Sequence, residues 1–403
     1  MLLAHQAKRS DPLGRYYTSP MVSMHLITAM NLSCPNTVID LGAGSGELVK
    51  EATKVWTDSR YFTVDIDSNA QSSKLPDIFG EKFKHQTADA LDLELAQKLG
   101  LNWAEVDAAI CNPPYLLPKW KKHFEEILED AGLRRFISKT GDITADLLFV
   151  AQNLRMLKNG GTLGLIIPDG IIAGEKYSAL RKSLIETHCI EKVIELPRNI
   201  FRKTEAKAHI LILSKSCGSN EFIQVSKVNQ DGSLEKEISV PTESFVKRLD
   251  YSYIKGKKSF AGKRRIADVT KSVFRGTISS VERHEQNLNV FHTTDFVESD
   301  IYVPSRFNVS QAEVIAHGGR FAQAGDILVA RVGRNLSGKI SMVNDLESVL
   351  VSDCIIVLRV DKTVRSQLFN FLRSERGRLC IETGSRGVGA KYITVGSLGE
   401  IQF

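Results

Sequence analysis

The tetrapeptide Asn112-Pro113-Pro114-Tyr115 combines residue types that can hold a flat ligand by its amino group. It follows the apolar run of residues 106–111, which predicts a buried strand that ends where the two prolines prevent continuation. At the carboxyl end of such a strand, the Asn112 side-chain carbonyl and the Pro113 backbone carbonyl can both accept hydrogen bonds from one NH₂ group. The Tyr115 ring can stack on the same ligand. The pattern favours a site for a planar amide or a nucleobase, with a rigid strand-ending turn as the alternative.

A glycine-rich segment, residues 42–46, follows a predicted strand at residues 37–41 and precedes a predicted helix from Glu47. Glycines allow the backbone to turn sharply and to approach a ligand closely. The G-x-G-x-G spacing differs from the G-x-G-x-x-G fingerprint of dinucleotide-binding loops. Asp40 and Glu47 flank the loop and would repel a pyrophosphate, whereas they suit a ligand that carries an ammonium group. A tight turn that uses glycine only for packing is the alternative.

Two further acidic residues follow predicted strands. Asp65 ends the strand predicted at residues 61–65, 25 residues after Asp40, and a carboxylate at that point commonly accepts hydrogen bonds from both ribose hydroxyls. It is preferred to its neighbour Asp67 because it ends the apolar run. Asp89 precedes an amphipathic helix predicted at residues 91–99, where it can accept a hydrogen bond from an adenine amino group or cap the helix.

Strands and helices alternate along the first half of the chain, and the strands are apolar on both faces. This pattern predicts an α/β fold with a mostly parallel sheet that helices cover on both sides. Ser19 and Pro20 are typical of the start of a helix, which is predicted at residues 21–32. Further helices are predicted at residues 121–135, 146–157 and 177–187, and further strands at residues 162–168, 190–196 and 209–215.

Taken in order, these motifs resemble the motif series of the amino-group DNA methyltransferases of the adenine-specific γ class, which use S-adenosylmethionine. The series consists of residues 14–20, 40–46 and 112–115, with Asp65 and Asp89 between them. Residues 196–201, followed by the strand that begins at His209, resemble the next motif of the family. The resemblance covers about residues 10–215 and is closest to the modification subunits of type I restriction–modification systems.

The resemblance implies a Rossmann-like S-adenosylmethionine-dependent methyltransferase fold and assigns roles to individual residues. The residues implied to hold the cofactor are Tyr16, Tyr17, Thr18, Asp40, Gly42, Gly44, Asp65, Ile66, Asp89, Ala90, Asn112 and Pro114. The implied catalytic residues are Asn112, Pro113, Pro114 and Tyr115. The rings of Tyr115 and Phe201 are implied to stack on the two faces of a flipped base. Ser19 replaces the proline that is more usual after the threonine in this family.

The residues and the resemblance agree on one mechanism. The exocyclic nitrogen of adenine is a poor nucleophile because its lone pair is delocalised into the ring. Hydrogen bonds from its NH₂ group to the Asn112 side chain and the Pro113 carbonyl would localise that lone pair and orient it for in-line attack on the sulfonium methyl group. No covalent enzyme intermediate is needed, and Cys111 is interpreted as a small buried residue of the strand. The base must swing out of the duplex to reach the site.

Length and composition fit two domains, or three, of an ordinary globular protein, because the 403 residues include 42% hydrophobic and 25% charged side chains. No apolar run approaches the roughly 20 residues of a membrane span. Residues 1–10 contain no signal-peptide core, so a cytoplasmic protein without a membrane partner is expected. The six cysteines form no C-x-x-C pair, which argues for reduced thiols and against a zinc ribbon, and no metal site is predicted.

The C-terminal part of the chain is basic. Residues 250–403 contain 22 Lys and Arg against 16 Asp and Glu, whereas the preceding part has 31 of each sign. This surplus of positive charge suggests a polyanion such as double-stranded DNA, with ordinary solvated surface charge as the alternative. Residues 325–333, 338–339 and 352–354 resemble the target-recognition domain of type I specificity subunits, and the match covers about residues 262–403.

The predicted organisation is a catalytic domain at residues 1–235, a polar linker at residues 236–261 and a smaller α+β DNA target-recognition domain at residues 262–403. In the last of these, strand-like runs are predicted at residues 289–292, 326–332, 339–343, 354–360 and 392–395, with a helix at residues 367–378. The candidate DNA contacts, mostly to phosphate, are Arg331, Arg334, Lys339, Arg386 and Lys391.

Three functions compete. The first is a sequence-specific adenine DNA methyltransferase with its own recognition domain, and N4-cytosine methylation is a variant of the same chemistry. The second methylates a protein glutamine or an RNA amino group, and the basic second half argues against it. The third is a DNA-binding subunit whose methyltransferase fold is only a scaffold, and the set of Asp40, Asp65 and Asn112 argues against that. The resemblance also implies a restriction or specificity partner subunit, or a homodimer, and no convincing nuclease motif is present.

Overall fold

The computed structural model describes residues 18–136, 143–198, 200, 207–259, 262–285, 288–297, 299–310, 320–346, 348–387 and 390–403. The chain divides into two compact units, Met1–Tyr251 and Ser252–Phe403. Among the described residues, no helix combines the length and the apolar character that crossing a membrane requires.

The first unit is built on one large sheet. In chain order its strands are β1 (Thr37–Leu41), β2 (Arg60–Asp65), β3 (Phe83–Thr87), β4 (Val106–Cys111), β5 (Leu157–Pro168), β6 (Cys189–Glu195), β7 (Ala208–Ser214), β8 (Phe222–Lys227) and β9 (Ile238–Pro241). They lie side by side in the order β3-β2-β1-β4-β5-β7-β6-β8-β9. The neighbours from β3 to β5 are parallel, whereas β7 runs antiparallel to β5 and β6, and β9 runs antiparallel to β8. The predicted mostly parallel sheet is confirmed.

Helices connect these strands. They are α1 (Pro20–Met30), α2 (Glu47–Val55), α3 (Leu75–Phe79), α4 (Leu95–Leu99), α5 (His123–Asp130), α6 (Ala145–Met156), α7 (Asp169–Ala173), α8 (Ser178–Thr187) and α9 (Ser244–Lys247). A further helix, α10 (Tyr251–Ser259), begins at the last residue of the first unit. Single 3₁₀ turns lie at Gln71–Lys74, Gly80–Lys82, Arg134–Phe136 and Glu175–Tyr177. Leu26 of α1 and Val49 of α2 share a buried core with Ile110 of β4.

Strand register brings three predicted polar site residues to one edge of this sheet. Asp40 lies in register with Thr63 of β2 and with Ile110 of β4. Because these strands are parallel, Asp65 and Asn112 each follow two residues later, at the carboxyl edge where α/β folds bind their ligands.

The predicted start of α1 is confirmed. The Ser19 hydroxyl accepts a hydrogen bond from the Val22 N–H at 3.4 Å, and Pro20 occupies the first helical position. The helix ends at Met30, two residues before its predicted end, because Asn31 adopts a left-handed conformation that terminates it.

Two other predicted helices are shorter than expected. The helix predicted at residues 91–99 begins only with α4, because the Asp89 carboxylate accepts a hydrogen bond from the Leu91 N–H and the residues after it form a turn. The helix predicted at residues 121–135 ends with α5, and Gly132 just beyond it has the positive φ of a helix-terminating residue.

The second unit is a smaller α+β assembly. Its strands are β10 (Thr270–Arg275), β11 (Phe321–Ala322), β12 (Ile327–Ala330), β13 (Val332–Gly333), β14 (Ile340–Met342), β15 (Val349–Leu350), β16 (Ile355–Val360) and β17 (Lys391–Tyr392). Its helices are α11 (Ile266–Val269), α12 (Ser280–Glu285), α13 (Lys362–Arg373), α14 (Glu375–Gly384) and α15 (Val395–Gly399), with a 3₁₀ turn at Ser305–Phe307. An antiparallel sheet in the order β10-β16-β12-β14 forms its centre, and β11 pairs with β15 and β13 with β17.

Three segments differ from prediction. Residues 236–261, expected to be a linker, contain β9, α9 and α10, because a few apolar side chains such as the fully buried Phe245 anchor an otherwise polar stretch. The helix predicted at residues 367–378 is divided at Ser374, which ends α13 and whose hydroxyl then caps α14. Residues 289–292 form no strand and contribute only one bridge, at Phe291.

A buried cluster of charges lies where β5, β6 and β7 meet. The Lys207 ammonium is 2.9 Å from a carboxylate oxygen of Asp250, 3.3 Å from one of Glu195 and 3.5 Å from one of Asp169. Burial opposes the charge of Lys207, but the three carboxylates outweigh burial and raise its pKa above the usual range. Burial likewise opposes the charge of Asp250, but Arg248 and Lys207 hold the pKa of that carboxyl well below its usual value.

Candidate active site

A cleft of about 270 Å³ opens at the carboxyl edge of the sheet in the first unit. The residues predicted for the site that line it are Thr18, Asp40, Gly42, Gly44, Asp65, Ile66, Asp89, Ala90, Asn112 and Pro114. The structure thus gathers motifs that are distant in the sequence into one cavity. Three other predicted residues, Tyr16, Tyr17 and Phe201, lie outside the described residues.

The glycine loop is held against the end of β2. Gly42, Gly44 and Gly46 have φ angles of 76°, 52° and 71°, in the left-handed region that glycine adopts most easily. A Cβ atom on Gly46 would lie 2.7 Å from Leu75 Cδ1, so this position also needs glycine for close packing. The Gly42 N–H donates a hydrogen bond to the Val64 carbonyl at 2.8 Å. The loop is therefore fixed before any ligand binds.

Asp40 lines the cleft although only 1% of its surface is exposed. Its Oδ1 atom has no hydrogen-bond partner among the residues that the structure describes. Burial and, after it, the neighbouring charge of Asp65 raise the pKa of Asp40 well above its usual value. A ligand cation would offset this unfavourable environment, so the carboxylate suits an ammonium group and not a phosphate.

Asp65 orients the glycine loop. Its Oδ2 atom accepts a hydrogen bond from the Gly44 N–H at 2.7 Å, and its Oδ1 atom accepts one from the Asp67 N–H at 2.9 Å. Each carboxylate oxygen has a second acceptor position, so these bonds fix the group and still allow it to receive ligand hydroxyls. The Asp67 carboxylate is engaged with its own turn, where it accepts from the Asn69 N–H.

Asp89 stands at the mouth of the cleft, where it forms an ion pair with a lysine that sequence reasoning did not single out. Its Oδ2 atom lies 2.8 Å from the Lys121 ammonium, while its Oδ1 atom accepts from the Leu91 N–H at 3.0 Å. The next residue, Ala90, is buried, and its carbonyl accepts a hydrogen bond from the Gln152 side chain at 2.9 Å. Both predicted residues therefore belong to a fixed rim of the cleft.

Asn112 follows β4 directly and is linked to the residues before α1. Its Nδ2 atom donates a hydrogen bond to Thr18 Oγ1 at 3.0 Å. Since the amide nitrogen is only a donor, Oδ1 is the atom of this side chain that can accept from a ligand NH₂ group. Pro113 is buried, and Pro114 lines the cleft.

Hydrogen bonds also hold Tyr115, the last residue of this motif, and Cys111, the residue before it. The Tyr115 hydroxyl donates to the Ile166 carbonyl at 3.2 Å, which ties the ring to β5. Cys111 is fully buried, and its thiol donates to the Leu41 carbonyl at 3.1 Å. Burial raises the pKa of Cys111 well above its usual value. The interpretation of Cys111 as a small buried residue of the strand is confirmed.

Comparison with known families decides the membership of this chain. The N-6 DNA methylase family matches residues 1–291, which is more than half of the chain. The chain belongs to the N-6 DNA methylase family.

Two relatives of this chain are named as restriction enzymes or as a subunit of one. The methylase subunit of the type I restriction enzyme MpnII of Mycoplasma pneumoniae is 25% identical over 256 residues, which are 57% of this chain and 47% of that protein. The putative type II restriction enzyme and methyltransferase RM.MjaORFECS2P of Methanocaldococcus jannaschii is 36% identical over 117 residues, which are 28% of this chain and 9% of that protein. The chain therefore spans about half the length of the first relative and far less of the second.

Among solved structures, the type IIG restriction endonuclease BpuSI has a similar fold. The TM-score is 0.50 at 13% sequence identity, and the similarity covers 95% of this chain and 57% of BpuSI. At that identity the similarity concerns the fold alone. The predicted fold class, a Rossmann-like methyltransferase sheet followed by a smaller α+β unit, is confirmed.

Sequence reasoning missed the apolar wall of the cleft. A Cβ atom on Gly42 would lie 3.2 Å from the ring of Phe149, which places this α6 side chain directly beside the glycine loop. Other apolar side chains that line the cleft are Leu48, Leu91, Leu116, Phe124 and Ala145. Apolar residues on helices give no sequence signal that distinguishes a cleft wall from ordinary core, so only the fold identifies them.

In the second unit, β13 and β17 bring together several of the candidate DNA contacts. Gly333 lies in register with Lys391, so Arg331 and Arg334 flank a strand that pairs with the strand of Lys391. Arg386 joins the same group because its backbone forms a bridge with Tyr392 of β17. The sequence placed these residues up to 60 positions apart and did not indicate that they share one ribbon.

The candidate DNA contacts differ in how far their side chains are exposed to solvent. Arg334 is exposed and Lys391 is half-buried. Arg331 and Lys339 are half-buried, and each donates a hydrogen bond to a backbone carbonyl at 2.8 Å. Arg386 is only 9% exposed, so its guanidinium packs inside the unit, and the structure does not place it on the surface that a phosphate contact requires.

Proposed function

We propose that this chain is an S-adenosylmethionine-dependent methyltransferase that modifies the exocyclic N6 nitrogen of adenine in double-stranded DNA. One observation carries the proposal. A single cleft holds the buried Asp40, whose Oδ1 has no hydrogen-bond partner among the described residues, and Asn112 at the end of the neighbouring strand. The first suits the ammonium of the cofactor and the second suits the amino group of a base. Membership of the N-6 DNA methylase family supports adenine as the substrate.

The cleft offers groups that complement S-adenosylmethionine from end to end. When bound, this cofactor supplies an electrophilic methyl group on a sulfonium centre. Asp40 would receive its ammonium group, and Asp65 would receive its ribose hydroxyls. Ile66, which is 57% exposed, and Pro114 would lie on the two faces of its adenine ring.

The same proposal assigns residues to the adenine end and to the methionine end of the cofactor. Asp89 and Ala90, both in the cleft wall, would lie at the edge of the cofactor adenine. Thr18 would lie beside the methionine end, where the resemblance also places Tyr16 and Tyr17. Gly42 and Gly44 would allow the backbone of the loop to approach the cofactor closely, because neither carries a side chain.

Asn112 and the Pro113 carbonyl would activate the target nitrogen. Two hydrogen bonds from the NH₂ group to these oxygens would favour a pyramidal nitrogen with a localised lone pair directed at the methyl group. When the nitrogen takes up the methyl group that the cofactor supplies, one of its two protons would pass to solvent, so that the methylated amino group is neutral. Preorganised acceptors and a fixed orientation supply the catalysis, and the hydrogen bond to Thr18 holds Asn112 in position.

The target base would enter this site from outside the double helix. Extrusion from the stack costs a few kcal/mol, and stacking on aromatic rings recovers part of that cost. Tyr115, whose hydroxyl is tied to β5, would provide one ring. Phe201 is the residue that the resemblance assigns to the other face.

The second unit would select the DNA sequence. In this proposal residues 1–235 are the catalytic domain, residues 262–403 are the target-recognition domain, and residues 236–261 join them. The exposed Arg334 and the neighbouring Lys391 are the better placed phosphate contacts, with Arg331 and Lys339 supporting the same ribbon. Contacts to phosphate would set the register of the protein on DNA, while base contacts would set its specificity.

A restriction–modification system is the proposed setting. The relatives quoted above are named as parts of such systems, one as a methylase subunit and one as a combined restriction enzyme and methyltransferase. The proposal includes a restriction or specificity partner subunit, or a homodimer, because one of these relatives is named as a subunit of a restriction enzyme.

Methylome sequencing of a host that expresses wild-type protein or Asn112→Ala tests the proposal. We expect N6-methyladenine at one defined sequence motif with the wild type and none with the variant. Calorimetry should show that Asn112→Ala still binds S-adenosylmethionine, because Asp40 and Asp65 are intact, although the loss of one side chain from the cleft should weaken binding. New N4-methylcytosine in place of N6-methyladenine would indicate that the chain methylates cytosine. No new DNA methylation, with methylated glutamine or RNA instead, would refute the DNA substrate.

A further inference from the structure

The loop between the Asn112 motif and α5 exposes an unusual combination of side chains. Its sequence is Leu-Leu-Pro-Lys-Trp-Lys-Lys, residues 116–122. Leu117 is 69% exposed and Trp120 is 39% exposed, while all three lysines of the loop are exposed. Here two exposed apolar side chains are interleaved with three positive charges in one short loop, a combination that suits an interaction surface.

The structure holds this loop in place at several points. The Leu116 carbonyl accepts a hydrogen bond from the Ala145 N–H at 2.9 Å. The Trp120 ring contacts the buried Phe124 edge-on, with ring centroids 5.6 Å apart. Lys121 forms the ion pair with Asp89 across the mouth of the cleft. The loop is therefore a fixed feature of the rim.

Leu117 is not part of the cofactor cleft. The loop residues that line the cleft are Leu116, Pro118, Lys119 and Lys121. Leu117 lies between the first two of these but does not line the cleft, and its side chain is exposed to solvent. The tip of the loop is thus presented outward, two residues after Tyr115.

The charges of the loop are not all used within the protein. Lys121 is paired with Asp89, but neither Lys119 nor Lys122 forms an ion pair with any of the described residues. The nearest acid of α5 in sequence, Glu125, is paired with Arg134. Two free ammonium groups beside an exposed leucine match a partner with negative charge outside and a stacked apolar interior, and duplex DNA has that combination.

We propose that residues 116–122 form a clamp on duplex DNA around the target base, in which Lys119 and Lys122 contact phosphates and Leu117 wedges into the base stack beside the extruded base. Apolar wedges of this kind stabilise unstacked steps in other DNA-binding proteins. The inference rests on the proposed function, since it assumes that the substrate is duplex DNA. It adds a substrate-positioning element within the catalytic unit itself.

The phosphate contacts are tested with the double variant Lys119→Gln/Lys122→Gln. Its binding to a fluorescein-labelled mixed-sequence DNA duplex should be about 10-fold weaker, and the slope of log affinity against log salt should fall by about 2, because two phosphate contacts are lost. The matched control is Lys54→Gln/Lys82→Gln, which removes two exposed charges close to the starts of β2 and β3, at the opposite edge of the sheet. The control should keep the wild-type slope, and an equal slope in both doubles would overturn the phosphate assignment.

The wedge is tested with Leu117→Ser, which removes an exposed side chain and so should leave folding unchanged. The substrate is the duplex motif found by methylome sequencing, with the target adenine either paired or mismatched. We expect methylation of the paired substrate to fall about 10-fold and that of the mismatched substrate to change less than about 2-fold, because a mismatched base is extruded more easily. Equal effects on both substrates, or no effect, would overturn the wedge.

Failure of the proposed methyltransferase function and failure of the DNA clamp would give different experimental results. If the wild-type protein neither binds S-adenosylmethionine nor methylates DNA, the proposed function fails. If wild type methylates DNA and the loop variants match it in slope and in rate, only the clamp fails. Loop variants that keep DNA binding but lose self-association in gel filtration would assign the loop to a protein contact and refute the clamp.

Discussion

The buried carboxylate of Asp40 is unfavourable for the free protein and favourable for a cationic ligand. Asp40→Asn should therefore raise the melting temperature of the free protein and weaken S-adenosylmethionine binding by about 10- to 100-fold, the loss expected for one charge-assisted contact. Differential scanning fluorimetry and calorimetry measure the two effects. Glu51→Gln is the control, because Glu51 lies on α2 but does not line the cleft, and it should bind within a few-fold of wild type. Undiminished binding by Asp40→Asn would contradict the assignment.

The raised pKa of Asp40 gives this site a pH dependence with a defined sign. A carboxyl group whose folded-state pKa lies above its unfolded value favours folding at low pH, and that contribution is lost as pH rises through the folded-state pKa. Stabilisation by Asp40→Asn should accordingly be larger at high pH than at low pH. Cofactor binding needs the ionised form, so wild-type affinity should decline as pH falls toward the raised pKa.

The site residues that could be predicted from the sequence are polar residues at or near the end of an apolar strand. Asp40, Asp65 and Asn112 each stand at or near the end of an apolar run, so a parallel sheet alone brings them to one edge. Lys121 could not be found in this way. Its ion pair with Asp89 depends on a loop that returns over the cleft, and no local pattern encodes that return.

At the scale of the element, the turn from β1 to α2 depends on the steric demands of glycine. Gly46 and Gly132 have similar φ angles, 71° and 70°, but only Gly46 of these two would place a Cβ atom against a neighbour, at 2.7 Å from Leu75. Gly132→Ala should cost about 1 kcal/mol of stability from backbone strain alone. Gly46→Ala should cost about 2–4 kcal/mol, because overpacking adds to the strain, and it should also weaken cofactor binding. Urea unfolding measures the difference, and equal costs would show that the contact with Leu75 does not matter.

Element positions were predicted better than element ends. The strands β1 and β4 have their predicted bounds because apolar runs and flanking turn residues agree there. The start of α4 and the break at Ser374 depend on hydrogen bonds that backbone N–H groups donate to the Asp89 carboxylate and to the Ser374 hydroxyl oxygen. Such polar side chains cap turns and helices alike, so their sequence does not say which one forms.

For the molecule as a whole, alternation of strands and helices was sufficient to predict the class of fold but not the direction of every strand. The segment of β7 is buried at every position, and an apolar run of that kind reads the same in either direction. Its insertion between β5 and β6, antiparallel to both, follows from the three-dimensional path of the chain. The buried charges beside it were equally hidden, because Asp169, Glu195, Lys207 and Asp250 are spread over four separate segments.

The stability of this charge cluster depends on the positive charge of Lys207. Lys207→Met would leave three carboxylates close together in a buried site, so it should destabilise the first unit by about 3–5 kcal/mol at neutral pH. Lys227→Met is the control, because Lys227 is 3.9 Å from Glu195 and its side chain is 34% exposed, and it should cost less than about 1 kcal/mol. Urea unfolding followed by hydrogen exchange in β5 and β7 measures both.

The pH dependence of the stability difference between wild type and Lys207→Met shows whether charge or packing causes that difference. The depressed pKa of Asp250 means that its contribution to stability is present above its unfolded pKa and is lost as pH falls through the folded value. Lys207 works in the opposite direction, since its raised pKa keeps its contribution present at neutral pH and loses it only in strong alkali. The gap between wild type and Lys207→Met should therefore be widest near neutrality and should narrow in acid, as the carboxylates are protonated. A gap that stays constant from neutral to acidic pH would mean that lost packing of the lysine stem, and not its charge, destabilises the variant.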